Sequence, residues 1–311
     1  MSSIFDTPPA EVLQELEALK IDLNHRIPFK RIDHNLLIAT WNIRSFGNIT
    51  RKWKSDDDDS PKRDLHAILC IAEIIRRFDV VAVQEVTSNL RALRDTLKIL
   101  GDNWSLILTD VNRGDEGNGE RMAYIFDTRR VNLSGLACEL VVPNKWKKSD
   151  DFSLERQFVR APYAVSFKSA SKTFVLVTLH IDYGDNADDR IDELKGIAEW
   201  MADWATQTNA YNHNLIALGD LLDQTFLSKG LHVPDDLQKP EVTRSIFDET
   251  KYYDQIAWFD GDDGIPKLSL EYIKGGNYDF VGKTLLNRNI TKRRFSFMMS
   301  DHLPLWAEFK V

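Results

Sequence analysis

Residues 215–224 read LIALGDLLDQ, an apolar run that breaks on Gly219 and Asp220 and turns apolar again at Leu221 and Leu222. The run reads as a buried strand, so Asp220 sets a carboxylate at a strand end. That is costly unless a cation or hydrogen bonds meet it. The same signature recurs along the chain. LLIATWNI (36–43) carries Asn42 near its end, VVAVQEV (80–86) carries Glu85, TFVLVTLHI (173–181) carries His180, and the pair Asp301-His302 opens DHLPLWAEFKV (301–311). Singly, each has a bland reading: Asn42 bonding a turn, Glu85 pairing with an arginine at the sheet edge, His180 a satisfied core histidine, Asp220 capping the next turn. Together they are what a metal-assisted hydrolase needs, because oxygen ligands hold a hard cation such as Mg²⁺ and imidazoles move protons near neutral pH.

The remaining periodicity places these ends in an α/β domain. Thr7 and Pro8 start a helix whose Val12, Leu13, Leu16 and Leu19 recur at helical spacing. Helices are also expected over 64–78, 88–100 and 187–207, and strands at SLILTDV (105–111), RMAYIFD (121–127), YAVSFK (163–168) and YYDQIAWF (252–259). Many strands with few helices imply two packed sheets with helices outside. Trp41 and Trp306 belong to the core. The run Asp56 to Asp59 is expected to be a solvated loop.

Composition sets limits on partners. The 311 residues are 43% hydrophobic, enough for a sizeable core, and 48 acidic against 40 basic residues give a net charge of -8. The total charge implies no attraction to a polyanion, so a nucleic acid must be held by a local basic patch or a metal. RKWK (51–54), NKWKK (144–148) and KRRFSF (292–297) are the candidate loops, cations for phosphate and aromatic rings for bases; scattered solvated loops are the equal alternative. The N-terminus lacks the features of a secretory signal and no run is long enough to span a membrane. Cys70 and Cys138 are expected as buried thiols. The expectation is a cytoplasmic monomer.

In order and spacing, LLIATWNIRSFG, FDVVAVQEV, ERMAYIFD, VRAPYAVSF, LVTLHI, IALGD, YYDQIAW and MSDHLP resemble the endonuclease/exonuclease/phosphatase superfamily, most nearly its deoxyribonuclease I branch. The resemblance covers residues 36–309. It implies a four-layered α/β sandwich, two packed mixed β-sheets flanked by helices, over 34–311, with 1–33 as a helical extension. It also implies Mg²⁺, with Mn²⁺ as a substitute. Asn42 and Glu85 match the metal-holding residues, and Asp220 and Asp301 match acids that orient water and help bind the cation. His180 and His302 match the catalytic histidines, partnered by Glu120 and Asp254, while Arg44 and Arg160 match arginines that support the phosphate site.

The implied activity is phosphodiester hydrolysis of DNA or RNA, by an endonuclease or an exonuclease. Two other readings stand beside it: a phosphomonoesterase or lipid-headgroup phosphodiesterase of the same fold, and a weakened binding member. The chain departs from the pattern at Leu222, where asparagine is usual, at Thr87 and Gln255, where arginine is common, and at Asn118, where an aromatic is expected. Gln224 or Asp223 is expected to supply the missing polar group.

Overall fold

The strand that carries Asn42 is buried on both faces, and its alternation decides which layer each face meets. In the computed structural model this strand, β1 (Asn35–Phe46), lies beside β2 (Val80–Val86) in parallel and β12 (Leu305–Lys310) antiparallel. The structure describes residues 2–111, 119–141, 158, 160–181, 187–207, 214–220, 230–250, 252–261 and 267–311; for 187–193 and 220 the description stops at the backbone. Leu36 and Ile38 of β1, with Val80 and Ala82 of β2, enter one core cluster, and Leu37, Ala39, Trp41, Val81 and Val83 enter another.

The first sheet runs β11-β12-β1-β2-β4-β3, adding β3 (Trp104–Leu108), β4 (Arg121–Asp127) and β11 (Glu271–Asn277). The second runs β5-β6-β7-β8-β10-β9. It comprises β5 (Asn132–Glu139), β6 (Tyr163–Ser169), β7 (Lys172–His180), β8 (Leu215–Asp220), β9 (Leu231–His232) and β10 (Asp254–Phe259). The parallel pairs β1/β2 and β7/β8 sit at the sheet centres, where burial on both faces suits their continuous apolar runs. One core fills the space between the sheets; Phe167 and Phe174 of the second sheet stack there at 5.9 Å.

Helices α1 (Ala10–Arg26), α2 (Leu65–Ile75) and α3 (Arg91–Leu100) contribute to the other core against the first sheet. α4 (Ala187–Thr206) gives Leu194, Ile197 and Met201 to the core cluster that takes in both faces of the second sheet. α1 docks through Val12, Leu16, Leu19 and Leu23, each burial contributing roughly 1.5–3 kcal/mol. The result is two mixed six-stranded sheets flanked by helices, the expected four-layer sandwich.

Several elements differ from the sequence expectation. KRRFSF is not a loop: Thr291 caps α5 (Lys292–Met298), its hydroxyl accepting from Arg294 N at 3.2 Å. β5, β9 and β11 carry no expected run, because two-sided burial is missing at and near sheet edges. The aspartate run is exposed but ordered by charge. Lys52 Nζ reaches Asp56 at 2.7 Å and Asp59 at 2.8 Å, and Arg294 pairs with Asp57. Cys70 is buried, whereas Cys138 is only half-buried on an edge strand.

Candidate active site at the strand ends

Thr40 and Asn42 continue the inward-facing series of Leu36 and Ile38, so alternation carries Asn42 into the inter-sheet layer at the end of β1. One step before the strand ends, Gln84 Nε2 donates to Thr40 Oγ1 at 3.1 Å and to Thr178 Oγ1 of β7 at 2.8 Å, a buried polar tie between the sheets. Asn42 is 1% exposed, and its Oδ1 has no hydrogen-bond partner among the described residues. Such an atom is expensive to bury unless something else coordinates it.

At Glu85 the backbone leaves the extended path, with φ +57, and the register with β1 and β4 shifts there. A bulge of this kind re-aims a side chain that alternation would send to the opposite face. Glu85 Oε2 accepts from Ser45 N at 2.8 Å, fixing it beside the β1 end. Asp301 lies near, its Oδ2 3.2 Å from Arg44 Nη1 and its Oδ1 buried without a hydrogen-bond partner among the described residues. Arg44 is held by Ser296 Oγ at 2.8 Å and lies over the Phe297 ring at 4.0 Å.

The second sheet brings the other groups to the same end. Asp220 is level with His180 on one side and with Asp254 on the other. Gly219 permits this approach: its φ is +127, and a Cβ there would lie 2.1 Å from the Leu179 carbonyl oxygen. His180 Nδ1 stands 3.2 Å from Glu120 Oε2, with Arg160 Nε 3.1 Å from the same oxygen. Burial raises the Glu120 carboxyl, but His180 and Arg160 outweigh it and the net shift is downward. His302 Nδ1 stands 2.6 Å from Oδ2 of the fully buried Asp254. The structure thus forms both expected imidazole–carboxylate pairs.

Asn42 Oδ1 and Asp301 Oδ1, buried without hydrogen-bond partners among the described residues, and the Glu85 carboxylate are all oxygen donors, the kind a hard divalent cation takes. A second group with metal-ligand chemistry lies elsewhere, where α1 meets α2: Glu15, His66 and Cys70, all buried within 4.8 Å. Arg288 Nη2 is 2.7 Å from His66 Nδ1. A guanidinium only donates, so Nδ1 accepts and the ring proton sits on Nε2, 2.9 Å from Glu15 Oε1. That leaves Nε2 no lone pair for an ion. The cluster instead fastens α1, with Glu15 accepting from the Leu285 and Leu286 amides.

Three buried residues escaped the sequence reading. Ser300 Oγ donates to Asn42 O at 2.6 Å and accepts from the amides of Arg44 at 3.2 Å and His302 at 3.1 Å. Arg63 donates to the carbonyls of Arg44 (2.6 Å), Ser45 (2.9 Å) and Met298 (2.9 Å). Burial pushes its guanidinium down to about 10 against the pull of Glu85 and Asp301. Arg244, in the loop before β10, reaches Asp254 O at 2.9 Å and Gln255 Oε1 at 3.3 Å, so a guanidinium meets the Gln255 side chain. Burial near the strand ends was the one available signal, and loop sequence does not reveal it.

Residues 39–240 match the family described as Endonuclease/Exonuclease/phosphatase family. The chain belongs to this family. Its members hydrolyse phosphate esters, and the family generally uses a divalent metal. A protein named deoxyribonuclease from Thioalkalivibrio sp. (strain K90mix) is 28% identical over 177 residues, 54% of this chain and 42% of that protein, so the match spans less than half of the relative. Among solved structures, the mannosyl-6-phosphatase of Bacteroides thetaiotaomicron VPI-5482 superposes with TM-score 0.56 at 18% identity, covering 88% of this chain and 99% of that one. D. rerio TDP2 complexed with single strand DNA product gives 0.55 at 14%, covering 89% and 99%. The human nocturnin catalytic domain with bound sulfate anion gives 0.56 at 14%, covering 89% and 95%. These likenesses show the endonuclease/exonuclease/phosphatase fold.

Of this member's departures from the family pattern, Thr87 packs its hydroxyl where a Gly47 Cβ would come within 2.2 Å, and its carbonyl accepts from Arg121 at 3.3 Å. Asn118, Leu222, Asp223, Gln224 and the segment 144–148 lie outside the described residues. No helix among the described residues is long and apolar enough to cross a membrane.

Proposed function

We propose that the chain is a Mg²⁺-dependent phosphodiesterase that acts on nucleic acid. The observation that carries this reading is the meeting of two imidazole–carboxylate pairs, His180–Glu120 and His302–Asp254, at the strand ends that also carry the unpartnered oxygens of Asn42 and Asp301. The likeness to a deoxyribonuclease supports the choice of substrate class. Asn42, Glu85 and Asp301, with Asp220 on the strand between those of His180 and Asp254, would hold the cation, Mg²⁺ or Mn²⁺. When bound, the cation supplies stabilisation of the negative charge that grows on the phosphoryl oxygens.

The chain's own groups carry the rest. A water oxygen bonds to phosphorus in line with the departing oxygen, and the phosphorus–oxygen ester bond breaks. One imidazole takes the water's proton while the other returns a proton to the leaving alkoxide. Glu120 and Asp254 face the Nδ1 atoms, which directs each Nε2 outward as the working nitrogen. Arg44 offers the phosphate a cation held by Ser296, and Arg160 supports the site through Glu120.

The test offers purified protein, stripped of metal and then supplied with Mg²⁺ or Mn²⁺, a panel of plasmid DNA, single strands, RNA, bis-p-nitrophenyl phosphate, p-nitrophenyl phosphate and inositol phosphates. The proposal expects metal-dependent hydrolysis of the diesters and of at least one nucleic acid. Turnover confined to monoesters would overturn it in favour of a phosphatase.

A further inference from the structure

Arg244 is completely buried, and its cation is costly to keep there: burial pushes it down to about 10 against the pull of Asp254 and Tyr252. Its guanidinium donates to main-chain carbonyls of Leu237, Val242 and Asp254 and to the Gln255 side chain, and it faces the Tyr252 ring at 5.2 Å. The Asp254 bond, Nε to O at 2.9 Å, holds the main chain of the residue whose carboxylate meets His302. Arg244 also acts through its backbone. Its carbonyl accepts from Leu303 N at 2.7 Å, the next residue forms a bridge with His302, and Ile246 N donates to Asp301 O at 2.8 Å.

One residue therefore grips both halves of the pair, the start of β10 through its side chain and the loop before β12 through its carbonyl. Asp254 Oδ1 has no hydrogen-bond partner among the described residues, so little else on its own side chain fixes the carboxylate's angle. The guanidinium attracts that carboxylate from within the protein. We propose that Arg244 is the positioning residue of the Asp254–His302 pair, holding the carboxylate and the imidazole in contact from the loop that precedes β10. Its effect on turnover rests on the reading of His302 as a proton carrier; its effect on the contact does not.

The test pairs proton NMR with kinetics. An imidazole Nδ1 proton held by a carboxylate gives a low-field resonance, assigned to His302 by its loss in Asp254→Asn and His302→Ala. Arg244→Met is expected to lose or shift that resonance and to lower kcat on bis-p-nitrophenyl phosphate at least about tenfold with KM little changed. Arg244→Lys, which keeps a charge and can reach one of the carbonyls, is expected to restore part of both. Phe174→Leu, a change in the inter-sheet core, serves as the control for general destabilisation and is expected to lower Tm while leaving the resonance and kcat intact. The proposal is overturned if Arg244→Met keeps resonance and kcat, or loses them only in proportion to Tm as Phe174→Leu does. A wild type that shows the resonance but hydrolyses no diester contradicts the hydrolase reading alone, and the resonance then decides the role of Arg244.

Discussion

The Ser300 hydroxyl donates to the Asn42 carbonyl at 2.6 Å, joining the loop before His302 to the strand that carries the unpartnered amide oxygen. Ser300 Oγ also accepts from the Arg44 and His302 amides, so one buried side chain sets the spacing of three site residues. Ser300→Ala removes the donor and the acceptor together. It is expected to cost about 1–3 kcal/mol in urea denaturation and to lower turnover on diesters by more than the stability loss explains. Unchanged turnover would show that the junction does not set the site.

Gly219→Ala probes the approach of β8 to β7. The added methyl would meet the Leu179 carbonyl at 2.1 Å on a backbone with φ +127. The strands must separate at the level of His180 and Asp220. A loss of about 2 kcal/mol or more is expected, with lower diester turnover. A variant within experimental error of wild type in both would contradict the assigned packing.

The contrast between these residues shows what sequence could reveal. Asn42, Glu85, His180 and Asp220 stood out because each interrupts an apolar run, and Asp301-His302 because it precedes one. Ser300, Arg63 and Arg244 interrupt nothing; their roles appear when loops far apart in the chain meet. Glu85 was legible as a polar strand end but not as a bulge, since left-handed φ at a glutamate has no sequence signature. Of the edge strands, β3 was legible as SLILTDV, whereas β5, β9 and β11 were hidden: β5 alternates between exposed and half-buried positions and carries no continuous apolar run.

Acid stability should report Asp127. Burial raises this carboxyl, but Arg129 and Lys30 outweigh it and bring it from 3.8 to about 2. A lowered native value means the contribution is complete above the unfolded value and lost as pH falls from 3.8 towards about 2. With both cations part-exposed, solvent screening reduces it to about 1 kcal/mol. Denaturation of wild type and Asp127→Asn should therefore differ by that amount at pH 6, with the gap narrowing by pH 3. A gap that persists or widens in acid would contradict the pairing.

The aspartate loop should restrain nucleic-acid binding. Lys52 and Arg294 sit in two of the basic segments, yet Lys52 is paired with Asp56 and Asp59 and Arg294 with Asp57. The triple change Asp56→Asn, Asp57→Asn and Asp59→Asn loosens all three pairs. Binding to single-stranded DNA is expected to tighten, and the salt dependence to steepen by about 0.7 for each cation that then meets a phosphate. Identical salt slopes would remove these cations from the binding surface.

The central claim is that the two imidazole–carboxylate pairs and the oxygen ligands form one hydrolytic site. The most direct measurement is turnover of bis-p-nitrophenyl phosphate by metal-stripped protein on Mg²⁺ add-back, in wild type, His180→Ala, His302→Ala and Glu85→Gln, each checked for native circular dichroism. The account predicts that Mg²⁺ restores wild-type turnover, that each histidine variant loses roughly a hundredfold or more, and that Glu85→Gln abolishes hydrolysis in a folded protein. Full Mg²⁺-dependent turnover in Glu85→Gln, or histidine variants changed only in stability, would contradict it.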